Sequence, residues 1–236
     1  MYPWQCFIAL CLGWFALPVQ AQDLDVQIAE SDAQGLTLLL SAPLASVQGV
    51  SGTDSRWYRV DIPGAAAKQV LGRPALPRHG VLVAIPKDAA ITLTVVDAQY
   101  QDISDRAIAP SIPRQIEIDA PLWQLFDQYI DQDFYSQDAL LPAAPVSVGF
   151  QGLLRDQPVA QILFHPVQIN PATRMLRLYQ QLRVRVDFGR PLNPANTSKY
   201  ATQAMSVSAA ESNSASSDPF AALMRKSLIN ASQAGR

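Results

Sequence analysis

Thiols are scarce in this chain, and they stand where they are of no use. Of 236 residues only two are cysteine, Cys6 and Cys11, and both fall in an N-terminal stretch that reads as a leader. The body beyond it offers no disulfide, no thiolate metal site and no cysteine nucleophile. Histidine is as rare, with two residues. His79 stands close to Pro77, and His165 sits far along the chain in a strand-like run, where a packed side chain is expected rather than a ligand. An excess of one charge is missing too. The net charge of −2 and pI near 5.6 leave no basic footprint for nucleic acid. Neither Gly-x-Ser-x-Gly nor His-Glu-x-x-His occurs, and no carboxylate pair has a catalytic setting. No catalytic, cofactor-binding or metal-ligating residue is assigned, and no cofactor is implied.

Long apolar runs are missing as well. The one candidate, Phe7 to Leu17, is too short to span a bilayer. Pro18 and Val19-Gln20-Ala21 follow it, with small residues where a signal peptidase reads, so 1–21 is expected to be a signal peptide cut before Gln22. The segment before the run carries no Lys or Arg, and Leu10 before Cys11 argues against a lipoprotein anchor. Export to the periplasm, cell surface or medium follows, with no membrane attachment afterwards.

Proline, by contrast, is plentiful, at eighteen residues. A helical bundle would not tolerate so many, and short strands separated by turns would. The most ordered text runs from Gly152 to Phe188. Val159 to His165 suits a strand buried on both faces, and Pro166 to Thr173 carries turn chemistry. Beyond it Leu176, Leu178, Leu182, Val184, Val186 and Phe188 alternate with charged neighbours. The pattern predicts a β-hairpin of two long strands joined by about eight residues. Arg177, Arg183 and Arg185 form either a basic stripe for an acidic partner or a solvated sheet face, and Asp187 interrupts them.

Other strands are expected over 24–28, 35–41, 57–62, 81–85 and 91–96, with one more through Ile112, Ile116 and Ile118, broken by Pro113. Leu122, Leu125, Phe126, Tyr129 and Ile130 fall at helical spacing, with Asp119 as cap and Pro121 in the first turn, so a short helix is expected near 119–130. Asp127, Asp131, Asp133 and Asp138 gather near Phe134 and Tyr135. They lack the glycine and terminal acid of a calcium loop and read as a solvated acidic loop. After Phe188 the pattern is lost: Ala201 to Asp218 is mostly Ala, Ser, Gln and Asn, the composition of a disordered tail. Phe220 to Ile229 then reads as a short amphipathic helix that docks on something. The layout is leader 1–21, an all-β body 22–190, a flexible linker 191–219 and an amphipathic segment 220–236.

Several of these residues together resemble a known family. Tyr135-x-x-Asp138-x-x-Leu141-Pro142, Pro145-Val146, Gly152-x-x-Arg155, Pro166-Val167-Gln168 and Asn170-Pro171, with the strand to Phe188, look like the propeptide domain of gingipain-type cysteine peptidases. Gly72-x-Pro74-x-Leu76-Pro77, Ile85-Pro86 and Ala109-Pro110 match its N-terminal half, and Phe220 to Asn230 resembles the start of the connection into the peptidase. The resemblance covers about 24 to 190. It implies a secreted antiparallel β-sandwich that keeps a caspase-like peptidase domain latent and assists its folding, with that domain in cis or encoded next to it. The family's catalytic Cys/His pair has no counterpart here. Arg155, the basic residue within the matched motifs, is the candidate to face the peptidase; its plainer reading is a surface or hairpin-pairing arginine. A stand-alone β-sandwich for binding or adhesion is the alternative function, and a hydrolase in its own right is the weakest reading.

Overall fold

One strand is paired along both edges and organises everything else. In the computed structural model, which describes residues 23–51, 57–113, 122–155, 157–189 and 226–231, this is β12 (Met175–Gly189). Its apolar alternation puts Leu176, Leu182, Val184 and Val186 wholly inside, while its arginines face the other way. One edge runs antiparallel to β7 (Ala90–Ile103), from Leu176 opposite Ile103 to Gly189 opposite Ala90. The other edge is divided. Its start pairs with β11 (Val167–Asn170) and its remainder with β2 (Gly35–Ser41), beyond which lies β1 (Asp25–Asp32).

A second sheet has the order β5 (Ala66–Ala67), β6 (Pro77–Ala84), β10 (Gln157–Phe164), β9 (Val146–Leu154). Leu36, Leu38 and Leu40 of β2 share one buried cluster with Leu182 and Val184 of β12 and with Val83, Ala160, Ile162 and Phe164 of the second sheet. That shared core makes the two sheets a β-sandwich, and burying each such large side chain contributes about 1.5–3 kcal/mol. A small third sheet joins β3 (Ser46–Gly49), β4 (Trp57–Asp61) and β8 (Ala107–Ile108). The β4–β8 pair is parallel, a departure from the all-antiparallel arrangement expected.

The strands anticipated near 24–28, 35–41, 57–62, 81–85 and 91–96 are all present as parts of β1, β2, β4, β6 and β7. The long hairpin is not. β10 lies between β6 and β9, and β12 belongs to the other sheet. The chain changes sheets at His165–Pro166, because Pro166 has no N–H with which to continue the β10 ladder. Residues 167–170, read as part of a turn, are β11, and the tight turn is the shorter Pro171–Arg174. Alternation identified both long strands but carried no information on which neighbours they take.

The expected helix is α1 (Leu122–Tyr129), with Leu125 and Phe126 buried. The acidic loop reading needs correction, since it contains a second helix, α2 (Gln132–Tyr135). Asp131 caps it, accepting from the Phe134 amide at 3.0 Å, and Asp138 accepts from Asn170 at 2.8 Å. Asp127 and Asp133 remain exposed. Asp119, Pro121, Ile116, Ile118, the leader and the linker lie outside the described residues, as does Phe220–Arg225 of the terminal segment. Ile112 follows an isolated bridge at Ser111 and is in no strand.

Candidate functional site

The motif residues gather in three places, two of which are internal staples. At one corner Gly72 holds φ +75°, a left-handed backbone that glycine adopts without strain. Its amide donates to Ser111 at 2.9 Å, and its carbonyl accepts from Asp131 at 3.0 Å. Arg73 reaches the Asp131 carboxylate at 2.7 Å and lies over the Phe134 ring. Pro74 bridges Pro110. The hydrogen bond from Arg73, then that from the Phe134 amide, holds the Asp131 carboxyl below its usual range. Tyr135 donates to the Ile108 carbonyl at 2.6 Å, and Trp57 stands edge-on to both Phe126 and Tyr135. Burial pushes the Tyr135 phenol well up, which keeps it a neutral donor.

The second staple pins the segment after α2 to β11. Leu141 exchanges backbone hydrogen bonds with Ile169 at 2.7 and 2.9 Å. Gln168, almost fully buried, donates to Pro142 O and accepts from the Tyr179 hydroxyl, each at 2.6 Å. The Tyr-x-x-Asp-x-x-Leu-Pro motif therefore does structural work: each of its named residues is engaged with β8, with Asn170 or with β11.

The arginines of β12 are neutralised within the domain. Arg177 makes two 2.8 Å hydrogen bonds to Asp102 of β7 and sits 4.0 Å from the centre of the Tyr100 ring. Arg185 bonds Asp32 at 2.8 Å and Asp187 at 3.0 Å, and Arg183 approaches Glu30 at 3.8 Å. The hydrogen bond from Arg177 keeps Asp102 ionised below its ordinary range, and the Gln34 amide and Arg185 do the same for Asp32. The stripe, read either as a basic surface for an acidic partner or as a solvated sheet face, is thus paired with acids of its own sheet.

Both histidines engage neighbours within the domain. His79 Nδ1 lies 3.2 Å from the Gly64 carbonyl. His165 Nε2 is 3.0 Å from the Ser147 hydroxyl, a distance that would suit a nucleophile and base. Yet burial, and then the nearby Arg78, hold His165 below its ordinary pKa. The imidazole is thereby kept neutral, with Arg78 as a cationic neighbour. Among the described residues no group of three or more His, Cys, Asp or Glu gathers as a metal site.

The third place is exposed. Gly152 to Arg155 forms the tip of the β9–β10 hairpin, where Leu154 pairs with Gln157. Arg155 is exposed there and holds φ +53°. Leu153 beside it is 67% exposed, and Phe150 is exposed on the same strand. A cleft of about 430 Å³ opens at this end of the sandwich between Asp32, Pro86, Gln157 and Phe188. Ala84, which also lines the cleft, is held by hydrogen bonds to Asn230, a contact not expected from the sequence. No local signal marked it, because these hydrogen bonds are to the Ala84 backbone.

The likeness to known proteins runs through the whole of this body. The Propeptide_C25 family model matches residues 19–213. Gingipain R2 of Porphyromonas gingivalis, from two strains, is 29% identical over 117 residues, which is 49% of this chain and 15% of that protein. This chain thus matches a small part of the relative's own length. Among solved structures, one chain of a complex of Porphyromonas gingivalis RgpB pro- and mature domains superposes with a TM-score of 0.66 at 19% identity, covering 88% of this chain and 96% of that one. A structure on the zymogenic latency of gingipain K from the same organism gives 0.53 at 18% identity, covering 72% and 95%. These two share the fold. With the family model spanning most of its length, the chain belongs to the Propeptide_C25 family, as a propeptide domain related to those of gingipain-type cysteine peptidases.

Proposed function

We propose that this domain covers the catalytic domain of a gingipain-type cysteine peptidase, keeping it latent and assisting its folding. The observation that carries the reading is the family match across 19–213. The fold shared with a chain from an RgpB pro- and mature-domain complex supports it. A cover of this kind works by mass action: it binds the folded enzyme and not the unfolded one, so it stabilises the fold while it excludes substrate. An interface of roughly 1,200–2,000 Å² is what such a complex needs. The layout proposed with it is export on residues 1–21 to the periplasm, cell surface or medium, a body over 22–190, a linker over 191–219 and a terminal segment over 220–236.

Arg155 is the residue we place against the peptidase. It stands exposed at a hairpin tip within a matched motif. Its guanidinium offers a carboxylate-lined cleft a two-pronged partner. The test is to titrate the purified chain and its Arg155→Ala variant into a gingipain-type peptidase domain while following peptide hydrolysis. Stoichiometric inhibition by the parent chain, and weakening by at least tenfold in the variant, are expected. Equal inhibition by both removes Arg155 from the contact. No inhibition and no change in the peptidase's thermal unfolding by either chain overturns the cover itself.

A further inference from the structure

The edge of β6 that faces away from β10 is met by β5 only at Pro77–Arg78. Farther along, the chain's own terminal segment takes its place. Leu228 forms a parallel bridge with Leu82, and the Ile229 amide donates to the Leu82 carbonyl at 3.0 Å. Two residues on, the Asn230 side chain behaves as a substitute peptide group. Its Oδ1 accepts from the Ala84 amide at 2.7 Å and its Nδ2 donates to the Ala84 carbonyl at 2.9 Å. Both polar groups of Ala84 on this edge are thereby satisfied. Leu228 is 3% exposed and packs on Ala84, Val159, Leu82 and Leu154. Asn230 is 2% exposed. Main-chain bonding of a peptide to a sheet edge, with pockets for its side chains, is an established mode of recognition; here Leu228 makes the bridge and Ile229–Asn230 turn against the edge.

We infer that the β6 edge is a peptide-binding groove for a Leu-x-Asn segment that touches it at one bridge and then turns, occupied by Leu228–Asn230, and that it holds this segment after residues 191–218 are cut. The contacts lie wholly between the segment and the sandwich, so no covalent link through the linker is needed to maintain them. Specificity follows from chemistry. The Leu228 seat is apolar and closed, and the Ala84 pair demands one donor and one acceptor two residues later. Aspartate has the size of asparagine but lacks the donor, and it would set a buried carboxylate against a carbonyl oxygen. The consequence rests on the reading above: a pro-domain nicked in its linker keeps hold of whatever its terminal segment is joined to.

The experiment needs no peptidase, so its outcome is separate from that of the inhibition assay. A recognition site for an exogenous protease is placed between 200 and 210 in the full chain, which is cut under native conditions and run on size exclusion at micromolar concentration. The terminal fragment is expected to elute with the sandwich. An excess of the synthetic peptide 226–236 should displace it, while the same peptide carrying Leu228→Ser should not. In the nicked chain, Asn230→Asp should release the fragment at least about tenfold faster, the scale set by one lost donor. Separation of the parent fragment on cutting overturns the groove. So does equal displacement by both peptides, a result that does not depend on how well any variant folds.

Discussion

The hydroxyl of Tyr179 donates to the Oε1 of Gln168 at 2.6 Å, and both side chains are buried. The pair stands across β11 and β12, and Gln168 passes the connection to Pro142 through its amide. Replacing Tyr179 with Phe keeps the ring and removes the donor, leaving a buried amide oxygen without its partner. The expected cost is about 1–3 kcal/mol, read as a lower urea midpoint with an unchanged slope.

Gly72 cannot take a side chain. A Cβ there would collide with the Tyr129 carbonyl and crowd the Asp131 amide at 3.0 Å, on a backbone at φ +75°. Gly72→Ala should destabilise the domain by at least about 2 kcal/mol. Thermal unfolding followed by circular dichroism checks this, and a shift within error would mean that the corner yields freely.

His165 should give the domain a slope in stability at mildly acid pH. Burial and Arg78 depress its folded-state pKa below the ordinary 6.5, so the unfolded chain takes up the proton more readily. Stability is full above about pH 6.5 and falls as pH drops through the folded value. Asp102, lowered by Arg177, adds a second loss as pH drops below about 3.8 and through its own folded value. His165→Gln should flatten the first slope and leave the second in place, as judged by denaturant midpoints across about pH 2–8.

Protease at low dose should enter first between Pro191 and Asp218, a stretch that opens rich in Pro and Asn and from Ala201 is mostly Ala, Ser, Gln and Asn. Mass spectrometry of early products is expected to show a body ending near residue 190. A first cut within β10, β11 or β12 would contradict the pairing found for them.

How far the sequence could be read follows from what each signal encodes. Alternation at Leu176 to Phe188 located β12, and the apolar run bounded by Gly and Pro at Gly35 to Ser41 located β2, because both signals are local. Which strand lies beside which is not local. Pro166 was legible as a break, but nothing in the text said that the chain changes sheets there. β3, β5 and β8 are too short to show a period, and β9 is interrupted by Gly149 and Gly152. The acidic cluster misled because a capping aspartate and a solvated one look alike until Arg73 arrives from far along the chain. Asn230 was invisible for a related reason: its partner is the backbone of Ala84, and backbone groups leave no trace in side-chain pattern.

The pairing of β12 along both edges sets an order of events for the newly made protein. β2 and β7 are each complete early in synthesis, yet the strand that joins them arrives only with Met175 to Gly189. Contacts at such separation are slow to form. On the export route proposed above, the chain would therefore remain threadable for most of its passage, and would close into its final shape only once β12 had followed.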